Sequence, residues 1–273
     1  MNWPERTFVV GIARAGGGAL IFAIPILMTM EMWSLGHTAP PFRLAILLVA
    51  TPPLLVGLAH YVGFRASTGL PDHIADAFVA VGVAAVIAAV VLSLFGLIGA
   101  GMATREIVGK VGIQLVPGSI GAMLSRSQFG DQPEDAVRKR MTEPSYSGEL
   151  FLMFVGALFL SLSIAPTDEV RHIAHTMSAW QELALLCLSL TLMHAFVYFV
   201  EFRTPVHVAP GSTALGLFFR FTVVGYVITL AASLFLLWVF GRVDGLSAGE
   251  ILSVMIVLSF PGAIGAAAAR LVL

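Results

Sequence analysis

Charge is scarce in this chain. Only 11% of its 273 residues are charged, whereas a soluble domain carries about 25% because its surface faces water. So sparse a set cannot cover a soluble protein of this size. Cysteine is nearly missing as well. The single Cys187 lies inside an apolar run, which excludes an intramolecular disulfide and a cysteine-cluster metal site and reads as a buried structural thiol. A net charge of −1 gives no footing for a nucleic-acid partner or a strongly basic surface anchor. The sequence holds no Gly-x-Ser-x-Gly, His-Glu-x-x-His, P-loop or dinucleotide-binding pattern, so no metal or other cofactor is expected and an enzyme reading is weakened.

Apolar residues fill the space that charge leaves. They make up 58% of the chain, and the mean hydropathy is +0.93. Long continuous runs such as Ala77 to Met102 and Ala214 to Phe240 fit helices rather than the alternating short strands of a barrel. In lipid, backbone groups must be satisfied internally, and only those two architectures do so. The expected solvent is therefore a bilayer, and the expected fold is all-α and transmembrane.

The chain also repeats itself. A shift of 138 aligns 18–65 with 156–203 without a gap, and fourteen of the 48 positions are identical. They include Thr29/Thr167, Glu31/Glu169, His37/His175, Thr38/Thr176 and Arg65/Arg203. A shift of 144 aligns 105–126 with 249–270, pairing Glu106/Glu250, Pro117/Pro261, Gly118/Gly262, Gly121/Gly265, Ala122/Ala266 and Arg126/Arg270. This predicts two four-helix units, 1–126 and 149–273, around a hydrophilic linker, 127–148. The helices are expected near 16–33, 42–64, 77–101 and 105–126, then 149–166, 180–202, 214–240 and 248–270. Arg6 and Arg14 before the first run outline a signal peptide, but the counterpart of that run in mid-chain argues for a retained helix.

Four helices per copy is even, so both copies enter from one side. Such parallel repeats are related by a pseudo-two-fold axis along the membrane normal. With the N-terminus inside, ten basic residues fall on the inner side (Arg6, Arg14, Arg65, Arg126, Arg138, Lys139, Arg140, Arg203, Arg220 and Arg270). Five fall outside (Arg43, Arg105, Lys110, Arg171 and Arg242). That bias places both termini and the linker in the cytoplasm. The arginines at helix ends are expected to snorkel to the interface.

Four places could carry chemistry. Thr29-x-Glu31 and Thr167-x-Glu169 fall near the outer end of the first helix of each copy, where a glutamate opposes the helix dipole and needs another reason to be there. Glu106 and Glu250 begin the fourth helices on the same side. Together the four carboxylates could concentrate cations at a mouth; the plain alternatives are an interfacial Glu31 and helix-favouring Glu106 and Glu250. Pro117-Gly118 and Pro261-Gly262 interrupt the fourth helices and free the carbonyls of Ile113 and Val257. Those carbonyls could coordinate cations, or the motif could be a kink with close packing. His60 and His194 lie on the second helices, His194 aligning with Val56, one turn from His60. They could pass protons or simply bond a neighbour. His37, His175 and His172 show no metal-ligand spacing, Asp72 and Asp76 are expected to bracket an inner loop, and Pro71-Asp72 reads as turn chemistry. The small-residue faces of the fourth helices make a homo-oligomer plausible.

The run Thr29-Met30-Glu31-Met32-Trp33 resembles an uncharacterised family of bacterial integral membrane proteins, which implies the bacterial inner membrane and leaves activity open. Arg14, Phe22-Ala23-Ile24 and Glu31 are similar to the first helix of potassium channels that carry a Phe-Ser-Asp motif. Here Gly16-Gly17-Gly18-Ala19-Leu20 stands where that motif would be. Three readings stay open. The first is a channel or transporter for a cation, potassium or proton, with its pathway between repeats or protomers. The second is a non-transporting sensor, assembly factor or partner subunit docking through the linker. The third is a lipid-acting enzyme.

Overall fold

The computed structural model describes residues 3–62, 69–129, 145–199 and 214–272, and they contain helices and no strand. The chain divides into two compact units, Met1–Val137 and Arg138–Leu273. Arg65, Arg203 and most of the expected linker, 130–144, lie outside the described residues, as do the side chains of Arg126 and Arg270.

The first unit holds α1 (Trp3–Leu27), α2 (Met30–Thr38), α3 (Pro41–Val62), α4 (Leu70–Leu94) and α5 (Thr104–Phe129). The second holds α6 (Tyr146–Ile164), α7 (Glu169–Thr176), α8 (Ala179–Phe199), α9 (Val224–Val239) and α10 (Ala248–Val272). A short α-helical turn, Ala214–Leu217, and a π-helical turn, Phe218–Val223, lead into α9. Eight helices are long and apolar enough to cross a membrane: α1, α3, α4, α5, α6, α8, α9 with its π turn, and α10. The remaining two, α2 and α7, are short.

These short helices correct the expected pattern. The first run does not continue through Trp33. The chain leaves α1 at Leu27, and Thr29 is extended at φ −92° and ψ 117°. Its hydroxyl donates to the carbonyl of Pro25 at 2.6 Å, and the Trp33 indole donates to Leu27 at 2.6 Å. Both capture helix-end carbonyls that would otherwise stay unpaired in an apolar setting. In the second unit the break falls after Ile164, and the hydroxyl of Thr167 donates to that carbonyl at 2.9 Å.

The third span also shifts. Expected at 77–101, it runs Leu70–Leu94 and stops in a glycine-capped turn. Gly96 has φ +71°, and the amide of Leu97 reaches back to Leu92 at 2.8 Å. The second unit ends α9 the same way, with Gly241 at φ +70° and Arg242 bonding Leu237 at 2.7 Å. Such a six-to-one bond after a left-handed residue is the usual glycine stop.

Each unit is organised around its last helix. In the first, α5 packs against α1, α2, α3 and α4, and 72% of its span is buried against 28% for each of α1, α3 and α4. In the second, α10 packs against α6, α7, α8 and α9. Contact is closest where glycines face each other. A Cβ on Gly18 would come within 2.5 Å of the Gly121 carbonyl, and one on Gly121 within 2.6 Å of Gly18. Gly156 and Gly265 meet in the same manner in the second unit. Ala122 and Ala266 are fully buried. The small-residue faces once expected to serve self-association are thus used inside each unit.

Candidate functional site

The glutamates do not sit where a continuous first helix would put them. Glu31 is in the first turn of α2 and Glu169 in the first turn of α7. A carboxylate at a helix N-terminus is favoured by the dipole, so the objection that each sits at a C-terminus disappears. Thr29 and Thr167 lie in the breaks just before them. Glu169 is exposed, and hydrogen bonds from its own amide and from the Thr167 hydroxyl hold its carboxyl below the usual value of 4.5.

Glu106 and Glu250 align in sequence but do different work. Glu106 pairs with Lys110 at 2.7 Å. The ammonium of Lys110 is mostly buried and also donates to the carbonyl of Leu97 at 2.9 Å, tying α5 to the turn after α4. Glu250 instead accepts from the amide and hydroxyl of Ser247, both at 2.7 Å, which is a capping box at the start of α10. His37 on α2 lies in electrostatic reach of Glu106, and His175 on α7 in reach of Glu250. In the second unit the cation that ties the turns together is Arg242, which donates to Asp168 and to the carbonyl of Pro166. Glu106 is therefore neutralised by Lys110 and Glu250 is occupied with capping, which sets both apart from Glu31 and Glu169.

The proline breaks differ more sharply. In α5, Gly118 faces apolar groups, and a Cβ there would meet Ala84 at 3.0 Å and Ala23 at 4.0 Å. In α10, Gly262 faces hydroxyl-bearing side chains, Ser161 Oγ at 2.6 Å and Thr229 Cγ2 at 2.7 Å from the same imagined atom. Proline removes the amide that would pair with Ile113 in α5 and Val257 in α10. Beside that gap in α5 stands Gln114, fully buried, with neither end of its amide hydrogen-bonded among the described residues. The aligned position in α10 is Leu258.

Around the α10 break the second unit collects buried hydroxyls. Thr222, Tyr226, Thr229 and Ser233 follow one another at helical spacing and are all buried. The Tyr226 hydroxyl lies 2.8 Å from Ser259 Oγ on α10 and also interacts with Ser189 of α8. Thr229 donates to the carbonyl of Gly225 at 2.9 Å. Ser161 on α6 and Ser233 on α9 are fully buried, and their hydroxyls have no partner among the described residues. Buried hydroxyls normally have a partner, protein or water.

The histidines part company. His194 Nδ1 lies 2.9 Å from the hydroxyl of Thr222, so it joins this column at the end near the π turn. Its ring packs edge-on against Phe218. His60 makes ring contacts with Tyr61 and with His73 of α4, whose centroid is 5.8 Å away. Asp72 and Asp76 belong to α4 rather than to a turn, and Asp76 is buried. No group of three or more metal-binding side chains forms among the described residues. Cys187 is exposed on α8 rather than buried.

Residue spacing held a signal for this column that composition hid. Hydroxyls at 222, 226, 229 and 233 mark one face of a helix, but in an apolar run they read as tolerated small residues. Lys110 and Gln114 were visible as rare polar groups in an apolar helix, a pattern that marks function or pairing in membranes.

The chain matches, over residues 11–273, the model of the family described as "Putative integral membrane protein (DUF2391)". No curated protein and no solved structure matches it. The chain belongs to that family and is an integral membrane protein with several membrane-spanning helices.

Proposed function

We propose that this member of the DUF2391 family moves a small cation, potassium or the proton, across the bacterial inner membrane, with both termini cytoplasmic. Its two units are copies of one ancestral four-span unit, set parallel about a pseudo-two-fold axis along the membrane normal. The matching glycine contacts and glycine-capped turns within the units support that reading. The pathway is placed inside the second unit, where the column from His194 to Ser233 offers oxygen atoms at membrane depth. Thr29, Glu31, Thr167 and Glu169 stand at the outer face, where their charge raises the local cation concentration.

One observation carries this reading: Ser161, beside the break at Pro261-Gly262, and Ser233, one helical turn beyond Thr229, are fully buried hydroxyls without partners among the described residues. Uncompensated polar groups in a membrane interior are costly, and buried hydroxyls normally have a partner, protein or water, which supports a polar occupant here. The first unit has Ala23, which aligns with Ser161, and Ala84 at the matching glycine.

The test is cation flux into liposomes holding the purified protein, compared with the Ser161→Ala/Ser233→Ala variant. The expected result is flux in the native protein that falls strongly in the variant, with folding unchanged. Equal flux in both would remove the column from the pathway. Silence of the folded native protein would favour a non-transporting partner subunit.

A further inference from the structure

We infer that the transported ion is the proton and that it travels through the second unit along a hydroxyl relay beginning at His194. This rests on the transport reading and narrows it to one ion.

Size is the first argument. Two shallow hollows lie on the described residues. They are lined by Ala231, Leu234, Phe235, Trp238 and Val243, and by Ala89, Val90, Ser93 and Leu94. Neither opens on Ser161, Ser233 or Tyr226. A potassium ion must replace its hydration shell with a cage of oxygens, as carbonyl rings do in filters, and the hydroxyls from Thr222 to Ser233 form no such ring among the described residues. A proton needs only oxygens and nitrogens close enough to exchange it.

Geometry is the second. His194 Nδ1 is 2.9 Å from Thr222 Oγ1. Thr222 sits in the π-helical turn Phe218–Val223, and its hydroxyl meets His194 of α8; π turns are rare and gather at functional sites. Tyr226 follows four residues on and contacts Ser259 at 2.8 Å. From Thr222 to Ser233 the column covers about 16 Å, at about 1.5 Å per residue. The other ionisable groups at the His194 end include Arg220, Tyr146 and Glu149 of α6, the last with one carboxylate oxygen buried. The Tyr146 hydroxyl donates to the Arg220 carbonyl at 2.8 Å, with the guanidinium 4.8 Å over the tyrosine ring. Arg220 is thus engaged on the aromatic face.

The step conserves atoms and charge. The imidazole takes a proton at one nitrogen and releases one from the other. Each hydroxyl in turn binds a proton on a lone pair and breaks its own O–H bond to pass a proton onward. Where side chains do not touch, between Thr222 and Tyr226 and at Ser161 and Ser233, the relay requires a transient water. Beyond Ser233, the fully buried Leu236 and Leu237 follow on α9, so passage requires that apolar segment to part.

The experiment uses full-length protein in liposomes loaded with a pH-sensitive dye, driven by a potassium diffusion potential, beside a separate potassium-flux assay. The native protein is expected to carry protons and not potassium, with a rate that falls in D2O. His194→Gln and Tyr226→Phe are each expected to slow proton flux by at least about tenfold, the scale on which positioned proton-transfer groups act. Potassium flux without proton flux would overturn this inference and leave the transport reading standing. Absence of both fluxes would sink the transport reading itself. Proton flux that is undiminished in both variants, or indifferent to D2O in the native protein, would overturn the relay. The D2O comparison needs no variant, so a misfolded mutant cannot obscure the outcome.

Discussion

Gly156 on α6 and Gly265 on α10 approach so closely that a Cβ on either would collide with the carbonyl of the other. Gly18 and Gly121 stand in the same relation between α1 and α5. Membrane helices lack a hydrophobic drive toward one another, so intimate backbone contact through small residues supplies much of what holds them. Replacing Gly265 or Gly121 with alanine forces the helices apart. The expected cost is about 1–3 kcal/mol each, the usual penalty for overpacking. Gly17→Ala, where nothing lies within 4 Å, should leave stability unchanged or slightly raised. Thermal denaturation in detergent, read as loss of monodisperse protein, checks the contrast.

Gln114 predicts a gain. Its amide is fully buried and lacks partners among the described residues, and the second unit has Leu258 at the aligned position. Gln114→Leu removes the desolvation cost of an unpaired amide, about 1–3 kcal/mol. The variant should melt higher than the native protein. A lower melting point would mean that the amide has a partner in the bilayer-embedded protein.

Much of this architecture was legible in the sequence, because each span announces itself by length and hydropathy. The breaks at Thr29 and Gly96 were not. Residues 24–36 are mostly apolar, with Glu31 their one charge, and what stops α1 is capture of its last carbonyls by Thr29 and Trp33, a side-chain event with no hydropathy signature. The run from Ala77 to Met102 looked like one helix because a glycine stop such as Gly96 costs no hydrophobicity. The candidate site was half visible. His194 stands out as a titratable group in an apolar run, but its partner Thr222 lies 28 residues away on another element, and no spacing along one helix pairs the two. Glu106 and Glu250 were equivalent by alignment. Their neighbours Lys110 and Ser247 separated them, and those two have no aligned counterparts of the same type: Val254 and Ala103 stand in their places.

Glu31 and Glu169 allow a test of the outer mouth. If they act by attracting cations, Glu31→Gln/Glu169→Gln should lower flux at low ionic strength. The deficit should fade near 1 M salt, where the screening length falls to about 3 Å. A deficit that persists at high salt would assign the pair a direct role in ion passage.

Glu169 also sets a pH dependence for α7. Its carboxyl is held below the usual 4.5 by its own amide and the Thr167 hydroxyl. A depressed folded-state value means that the charged form stabilises the helix start. That contribution is fully present above about 4.5 and is lost as pH falls through the lower folded value. Amide exchange at 169–172, corrected for its intrinsic pH dependence, should show loosening on acidification only below about pH 4.5. Thr167→Val should move the onset upward. An onset on the alkaline side would contradict the assignment.

The central claim is that the second unit moves a cation along its buried hydroxyls. Its most direct measurement is flux into liposomes of the purified, folded native protein under proton, potassium and sodium gradients in turn. The account predicts proton movement alone. Silence under all three gradients would contradict it.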